Sequence, residues 1–118
     1  MELNDHFDTE SLTMLKEVME EEFGELIDLF VADGEDRLPK MRTALETKDA
    51  ANLMGMAHSF KGASGNVCAA PLSALNMQVE EGIRGVPETS VDWPRLADLL
   101  KQVEDEFSAV KQVISQHL

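Results

Sequence analysis

Apolar residues recur every three or four positions along most of the chain, the spacing that places them on one face of an α-helix. One such series begins at Leu12, a much longer one at Phe23, and others at Leu53 and Leu96. Glycine and proline are scattered among these series rather than clustered. The pattern therefore predicts an all-α protein.

Capping residues set the boundaries of the outer helices. A short first helix follows Asp8, with Thr9 or Ser11 as its cap, and Asp92 begins a last helix that continues to the C-terminus. A long second helix carries the series Phe23, Ile27, Phe30, Gly34, Leu38, Met41 and Leu45.

Two further helices are predicted between these. Thr47 or Asp49 caps the third, which continues to about Val67. Pro71 suits the first turn of the fourth, which ends near the segment GIRGVPETS. Short connections join the four long amphipathic helices, and each apolar stripe must be covered. We therefore expect an antiparallel (up-down) four-helix bundle with a short additional N-terminal helix, formed as a single domain by residues 1–118.

Two residues of the second helix are unusual inside a helix. Pro39 removes a backbone donor and crowds the preceding turn, which predicts a kink or a break near residues 35–38. Gly34 lies in the apolar series, where it marks a close crossing with another helix.

Charge and composition narrow the partners and the compartment. The formal net charge of -13 at pH 7 repels phosphate backbones and anionic lipids, so neither nucleic acid nor membrane is expected as a partner. Tyr is absent and Trp occurs once, which favours helices over strands. Cys68 is the only cysteine, no apolar run is long enough for a bilayer, and the N-terminus is acidic rather than signal-like. These features predict a cytoplasmic protein.

The third helix carries a histidine outside its apolar face. At about 100° per residue, its core stripe consists of Leu53, Ala57, Phe60, Ser64 and Val67. His58 points roughly 140° away from the centre of that stripe, so we expect it to be exposed. Met54, Lys61, Gly62 and Gly65 are its neighbours at one and two turns.

The neighbours of His58 favour one chemistry. Gly62 and Gly65 each cost about 1 kcal/mol relative to alanine in an exposed helix, and they leave a shallow clearing for a partner surface. Lys61 places a cation where an anionic group bound to the imidazole would lie. An exposed imidazole of this kind suits a nucleophile that receives a phosphoryl group better than a general base, which needs a substrate pocket. A merely solvated histidine is the alternative.

The segment AHSFKGASGNV, residues 57–67, resembles the signature of the histidine-containing phosphotransfer (HPt) domain family, in which A-H-x-apolar-K-G precedes two small residues. His58 matches the phosphorylated histidine, Phe60 the apolar position, Lys61 the lysine and Gly62 the glycine. The resemblance implies a phosphocarrier without a cofactor of its own, not an enzyme. In the family, a receiver domain supplies the phosphoaspartate, Mg²⁺ and the remaining catalytic groups.

The resemblance also implies a role and partners. We expect a monomer in a multistep two-component phosphorelay, which accepts phosphate from the receiver domain of a hybrid sensor histidine kinase and passes it to a response regulator. Glu80 falls on the following helix, where family members have a glutamine near the imidazole, and it joins His58 and Lys61 as a site residue. Cys68 falls where many members have glycine.

The clearing beside the imidazole is the expected docking surface for the receiver. Gly62 and Gly65 allow a close approach, and Met54 offers an adaptable apolar contact.

Three other assignments compete with this one. A metal site is disfavoured because no two of His6, His58, His117 and Cys68 have the spacing of ligands on one helix face. In the dimerisation bundle of a histidine kinase an acid usually follows the histidine, whereas Ser59 follows it here. A helical-bundle adaptor that binds receiver domains without being phosphorylated is the main alternative function.

Overall fold

The helices begin and end close to the predicted positions. In the computed structural model, which describes residues 2–118, they are α1 (Thr9–Met19), α2 (Phe23–Glu46), α3 (Ala50–Asn66), α4 (Ala70–Glu81) and α5 (Trp93–His117). Single 3₁₀ turns occur at Leu3–Asp5, Glu20–Glu22 and Glu88–Ser90. No strand occurs within the described residues, so the all-α prediction is confirmed. None of the helices in residues 2–118 has the length and hydropathy that crossing a bilayer requires.

Aspartates cap three of the five described helices. The side chains of Asp8, Asp49 and Asp92 each accept a hydrogen bond from the backbone N–H three residues later, which satisfies one of the free donors at a helix start. For α1 the predicted cap, Thr9 or Ser11, was wrong. Thr9 is already helical, and Ser11 donates its backbone N–H to the true cap, Asp8.

Of the kink or break predicted near residues 35–38, the break does not occur, since α2 is continuous from Phe23 to Glu46. Proline cannot donate to the carbonyl of Glu35, but Glu35 and Pro39 are both exposed, so water can reach that carbonyl. The carbonyl of Pro39 itself accepts a 3.1 Å bond from the hydroxyl of Thr43. The buried face of α2 therefore continues through the proline.

The four long helices form a ring in which each packs against two others. Helices α2 and α4 both contact α3 and α5. Cross-contacts give the directions: Gly34 of α2 meets Phe107 of α5, whereas Arg42 further along α2 bonds to Glu104 earlier in α5. Residue numbers that rise in one helix and fall in the other indicate antiparallel neighbours. Helices α3 and α4 are antiparallel as well, because His58 contacts Glu80 whereas Lys61, later in α3, contacts Ser73, earlier in α4. The bundle is therefore of the predicted kind.

Three phenylalanines from three helices meet in the core. The ring centroids of Phe30, Phe60 and Phe107 lie 5.8 to 6.3 Å apart, in tilted and edge-on arrangements that aromatic pairs prefer. The guanidinium carbon of Arg37 lies 5.5 Å from the centroid of the Phe60 ring and covers it from one side. Phe60 thereby fixes the rotation of α3 about its own axis.

Gly34 allows α2 and α5 to approach closely. It is buried, and a Cβ added there would overlap with the ring atoms of Phe107. Phe107 is 2% exposed and packed against two other rings, so it has little room to move. The close crossing predicted at Gly34 is thus found.

We expect Gly34→Ala to lower the free energy of unfolding. Overpacking costs about 1 to 3 kcal/mol, which outweighs the gain in helix propensity of about 1 kcal/mol. Gly55→Ala is the control, because a Cβ at this position would point into open space, with no atom of residues 2–118 within 4 Å apart from its chain neighbours and its own helix backbone. This variant should stabilise the protein by about 1 kcal/mol. Urea denaturation of both variants measures the difference. Two variants that shift stability in the same direction would contradict the crossing argument.

Candidate functional site

His58 lies on the exposed face of α3. Its side chain is 61% exposed, whereas the predicted core stripe is fully covered: Leu53, Ala57, Phe60, Ser64 and Val67. The face of α3 that was predicted to enter the core is therefore the buried one. Burial of the stripe turns the imidazole outward.

The carboxylate of Glu80 reaches His58 from α4 and gathers three donors. Glu80 Oε2 lies 2.7 Å from His58 Nδ1, and Glu80 Oε1 accepts a 2.8 Å bond from Lys61 Nζ. A terminal guanidinium nitrogen of Arg84 also donates to Oε2. The Glu80 side chain is only 4% exposed, so its charge is compensated within the protein rather than by water.

These contacts keep Glu80 ionised. The ammonium of Lys61 is the largest cause of a pKa lowered from 4.5 to about 2, followed by the guanidinium of Arg84, and burial opposes them. An ionised carboxylate only accepts hydrogen bonds, so His58 Nδ1 must carry the hydrogen. The lone pair of the neutral ring is then on Nε2, on the side away from Glu80.

Arg84 was not predicted from the sequence as a site residue. Its spacing of four residues from Glu80 was the available signal, although α4 ends at Glu81 and Arg84 lies in the turn that follows. Lys61, Arg84 and Glu80 sum to a local charge of about +1, although the whole chain has a formal charge of -13. These three side chains thus have a net positive formal charge in an acidic protein.

The two glycines beside His58 do not serve helix packing. Apart from the chain neighbours and the backbone of α3 itself, a Cβ added at Gly62 would have no atom of the described chain within 4 Å. A Cβ added at Gly65 would meet only the hydroxyl of Ser73, at 3.8 Å. Both glycines are exposed. They leave open surface one and two turns along the helix from the imidazole, and Met54, half-buried, borders it on the other side.

Cys68 lies in the turn between α3 and α4. Its φ of 64° is in the left-handed region, which glycine adopts at no steric cost. The carbonyl of Cys68 accepts a 2.8 Å bond from the N–H of Asp8, which ties the N-terminal segment to this turn. Burial, and then the charge of Asp8, raise the pKa of the thiol. The presence of cysteine where many family members have glycine therefore affects the strain of the backbone and not the chemistry of the site.

A model of the Hpt domain matches residues 25–112, which include α3, α4 and most of α2 and α5. The chain belongs to the Hpt domain family. It is 39% identical to histidine-containing phosphotransfer protein B (HptB) from Pseudomonas aeruginosa PAO1, whose crystal structure superposes with a TM-score of 0.85 over 94% of this chain and 92% of that one. No curated protein sequence matches the chain. Hpt domains are phosphocarriers of phosphorelays rather than enzymes, and this settles the class of the protein.

The lowered pKa of Glu80 predicts how this Hpt domain responds to acid. Such a group adds stability that is fully present above its ordinary pKa of 4.5 and lost as the pH falls toward about 2. We expect the free energy of unfolding to fall less between pH 6 and pH 3 in Glu80→Gln than in the wild type. Urea denaturation at several pH values measures this.

Glu81→Gln is the matched control for that experiment, because Glu81 is an exposed carboxylate on the same helix. Its pH dependence should follow that of the wild type. Equal acid sensitivity in Glu80→Gln and the wild type would mean that the contacts of Glu80 do not stabilise the folded state.

Proposed function

We propose that His58 Nε2 accepts a phosphoryl group from the phosphoaspartate of a hybrid sensor kinase's receiver domain and passes it to the aspartate of a response regulator. The observation that supports this is the 2.7 Å contact between His58 Nδ1 and the buried carboxylate of Glu80. It holds the ring in the tautomer whose free lone pair faces solvent. An exposed nucleophile of this kind is accessible to a second protein.

The transfer balances without an added base. The Nε2 lone pair forms the bond to phosphorus, the P–O bond to the aspartate breaks, and its electron pair leaves with the carboxylate oxygen. Nδ1 keeps its hydrogen, so the phosphorylated ring becomes an imidazolium, which the Glu80 carboxylate stabilises. The return step to the second aspartate reverses these bonds. Glu80 therefore supports the phosphorylated state through the ring.

Lys61 contributes to the same step from the other oxygen of Glu80. Its ammonium holds Oε1 at 2.8 Å and is 31% exposed, so it can also attract the incoming phosphoryl oxygens. We assign Mg²⁺ and the remaining catalytic groups to the receiver domain. The chain then acts as a carrier and needs no cofactor of its own.

The exposed face of α3 is the proposed docking surface. Helix α3 contains no acidic residue, although the chain has 23, and Gly62 and Gly65 leave its surface low beside His58. A receiver can therefore bring its aspartate to Nε2 across the two glycines without meeting an acidic side chain of α3. Met54 borders this surface. The monomeric state and the cytoplasmic location predicted from the sequence stay predictions.

We expect His58→Gln to abolish phosphate acceptance while the protein stays folded, since His58 lies outside the core and Lys61 and Arg84 still compensate the charge of Glu80. Each purified receiver domain of the source organism is phosphorylated with acetyl phosphate and mixed with the protein, and mass spectrometry under neutral conditions locates the phosphoryl group. His117→Gln, at the exposed end of α5, is the control and should keep full acceptance. Receiver binding without phosphorylation of the wild type would favour the adaptor function instead.

Gly62→Leu should separate folding from docking. Because the space above Gly62 is open, the leucine fits without overpacking, so the melting temperature should not fall, while the side chain blocks the receiver. Gly24→Leu is the matched control, since a Cβ there also meets no described atom and Gly24 lies on α2. Phosphotransfer and melting curves are measured on the same preparations. A folded Gly62→Leu variant with normal transfer would show that the receiver docks elsewhere.

A further inference from the structure

Helix α1 leaves an apolar face uncovered. Val18 is 81% exposed and Met14 is 62% exposed, although both are large apolar side chains. Together with Ser11, Leu15 and, from the turn after α3, Cys68, they line a groove of about 310 Å³. The four α1 residues have the spacing i, i+3, i+4 and i+7, so they form one continuous face of the helix. Within residues 2–118, no other element covers this face.

The negative charge of the protein is concentrated in the segment that contains α1. Residues 1–36 include 13 of the 23 acidic residues and one of the ten basic residues, which gives a formal charge of -12, against -1 for the other 82 residues. Glu10 and Glu17 are exposed and lie one turn before and after Met14 on α1. The single cation, Lys16, points about 150° away from the centre of the groove face. On α1 the apolar face is therefore bordered by carboxylates.

This charge distinguishes between the possible occupants of the groove. Nucleic acid and anionic lipid are repelled by an acidic surface. In a symmetric dimer through this face, a second segment of charge -12 would lie against the first, and like charges across an interface are unfavourable. A cationic protein partner gains both the apolar contact and the attraction of the carboxylates.

We propose that the groove of α1 is a docking site for a cationic amphipathic helix of a partner protein. The apolar face of that helix packs against Met14 and Val18, and its Lys or Arg side chains lie beside Glu10 and Glu17. A helix fits because two helices bury apolar faces of the same spacing against each other. The flexible side chain of methionine adapts to the shape of its partner.

The docking site is separate from the candidate phosphorylation site. Ten residues separate His58 from Cys68, which corresponds to a helical rise of about 15 Å. No step assigned to His58 involves α1, so the inference goes beyond the proposed function. Its test needs no phosphoryl transfer.

The probe is a labelled synthetic peptide of about 14 residues, or four helical turns, with leucine at i, i+3, i+4 and i+7 positions and lysine elsewhere. One comparison peptide has the same composition in scrambled order, and another has glutamate in place of lysine. Fluorescence anisotropy measures the dissociation constants. We expect the protein to bind the patterned lysine peptide at least about tenfold more tightly than either comparison peptide.

Met14→Ser/Val18→Ser should weaken binding of the patterned lysine peptide about tenfold, because the apolar contact is lost. Both side chains are exposed, so the melting temperature should change little. Met77→Ser is the matched control, because Met77 is an exposed apolar residue of α4. This variant should bind the peptide as the wild type does.

Glu10→Gln/Glu17→Gln should weaken binding about fivefold at low ionic strength, the size of a contact between screened unit charges. The defect should shrink in 1 M NaCl, because its cause is electrostatic. Glu46→Gln/Glu88→Gln is the control, since it removes the same charge from exposed positions outside residues 1–36. Its affinity should stay within about twofold of the wild type.

Four results would overturn the inference. Two of them are a scrambled peptide that binds as tightly as the patterned one and an unchanged affinity in Met14→Ser/Val18→Ser. Sedimentation of a wild-type dimer that this variant does not form would assign the groove to a second copy. Receiver domains that bind this variant about tenfold more weakly than the wild type would assign the groove to the receiver.

Discussion

A buried carboxylate without partners is unstable in a protein interior, and Glu80 is the point where this constraint acts. Its charge is compensated by Lys61 from α3, by Arg84 from the turn after α4, and by the imidazole of His58. The same contacts that make the burial possible determine the tautomer of the ring and the direction of its free lone pair. The stability of the α3–α4 pair and the proposed phosphoryl transfer therefore depend on one group.

The position of His58 depends in turn on packing at a distance from it. The rotation of α3 is set by its buried stripe, above all by Phe60, which lies among the rings of Phe30 and Phe107. Phe107 reaches that position because Gly34 has no side chain. A change at the α2–α5 crossing would thus be transmitted through the aromatic cluster to the helix that carries the imidazole.

Local rules predict where the helices lie, most of their capping residues and the exposure of His58, because periodicity and caps act within a few residues. The tolerance of Pro39 could not be predicted, since it depends on which side of α2 faces water. Nor could the contact of Arg84 with Glu80, because its spacing from Glu80 becomes informative only when Glu80 is known to be buried. Glu80 is buried by contacts between helices, and it lies 22 residues from His58 in the chain. Local periodicity does not encode such a contact.

The contrast between the acidic chain and its positive site suits a protein that exchanges phosphoryl groups with other proteins. At physiological ionic strength charges more than about 8 Å apart are largely screened, so the cluster around Glu80 dominates at contact distance and the rest of the acidic surface has little effect there. A docked receiver would exclude water and lower the local dielectric constant, which strengthens the attraction between Lys61, Arg84 and a phosphoryl group. Free phosphate in solution meets the same cations fully hydrated and gains little. The proposed site is therefore effective when a partner covers it, which ties the chemistry to docking.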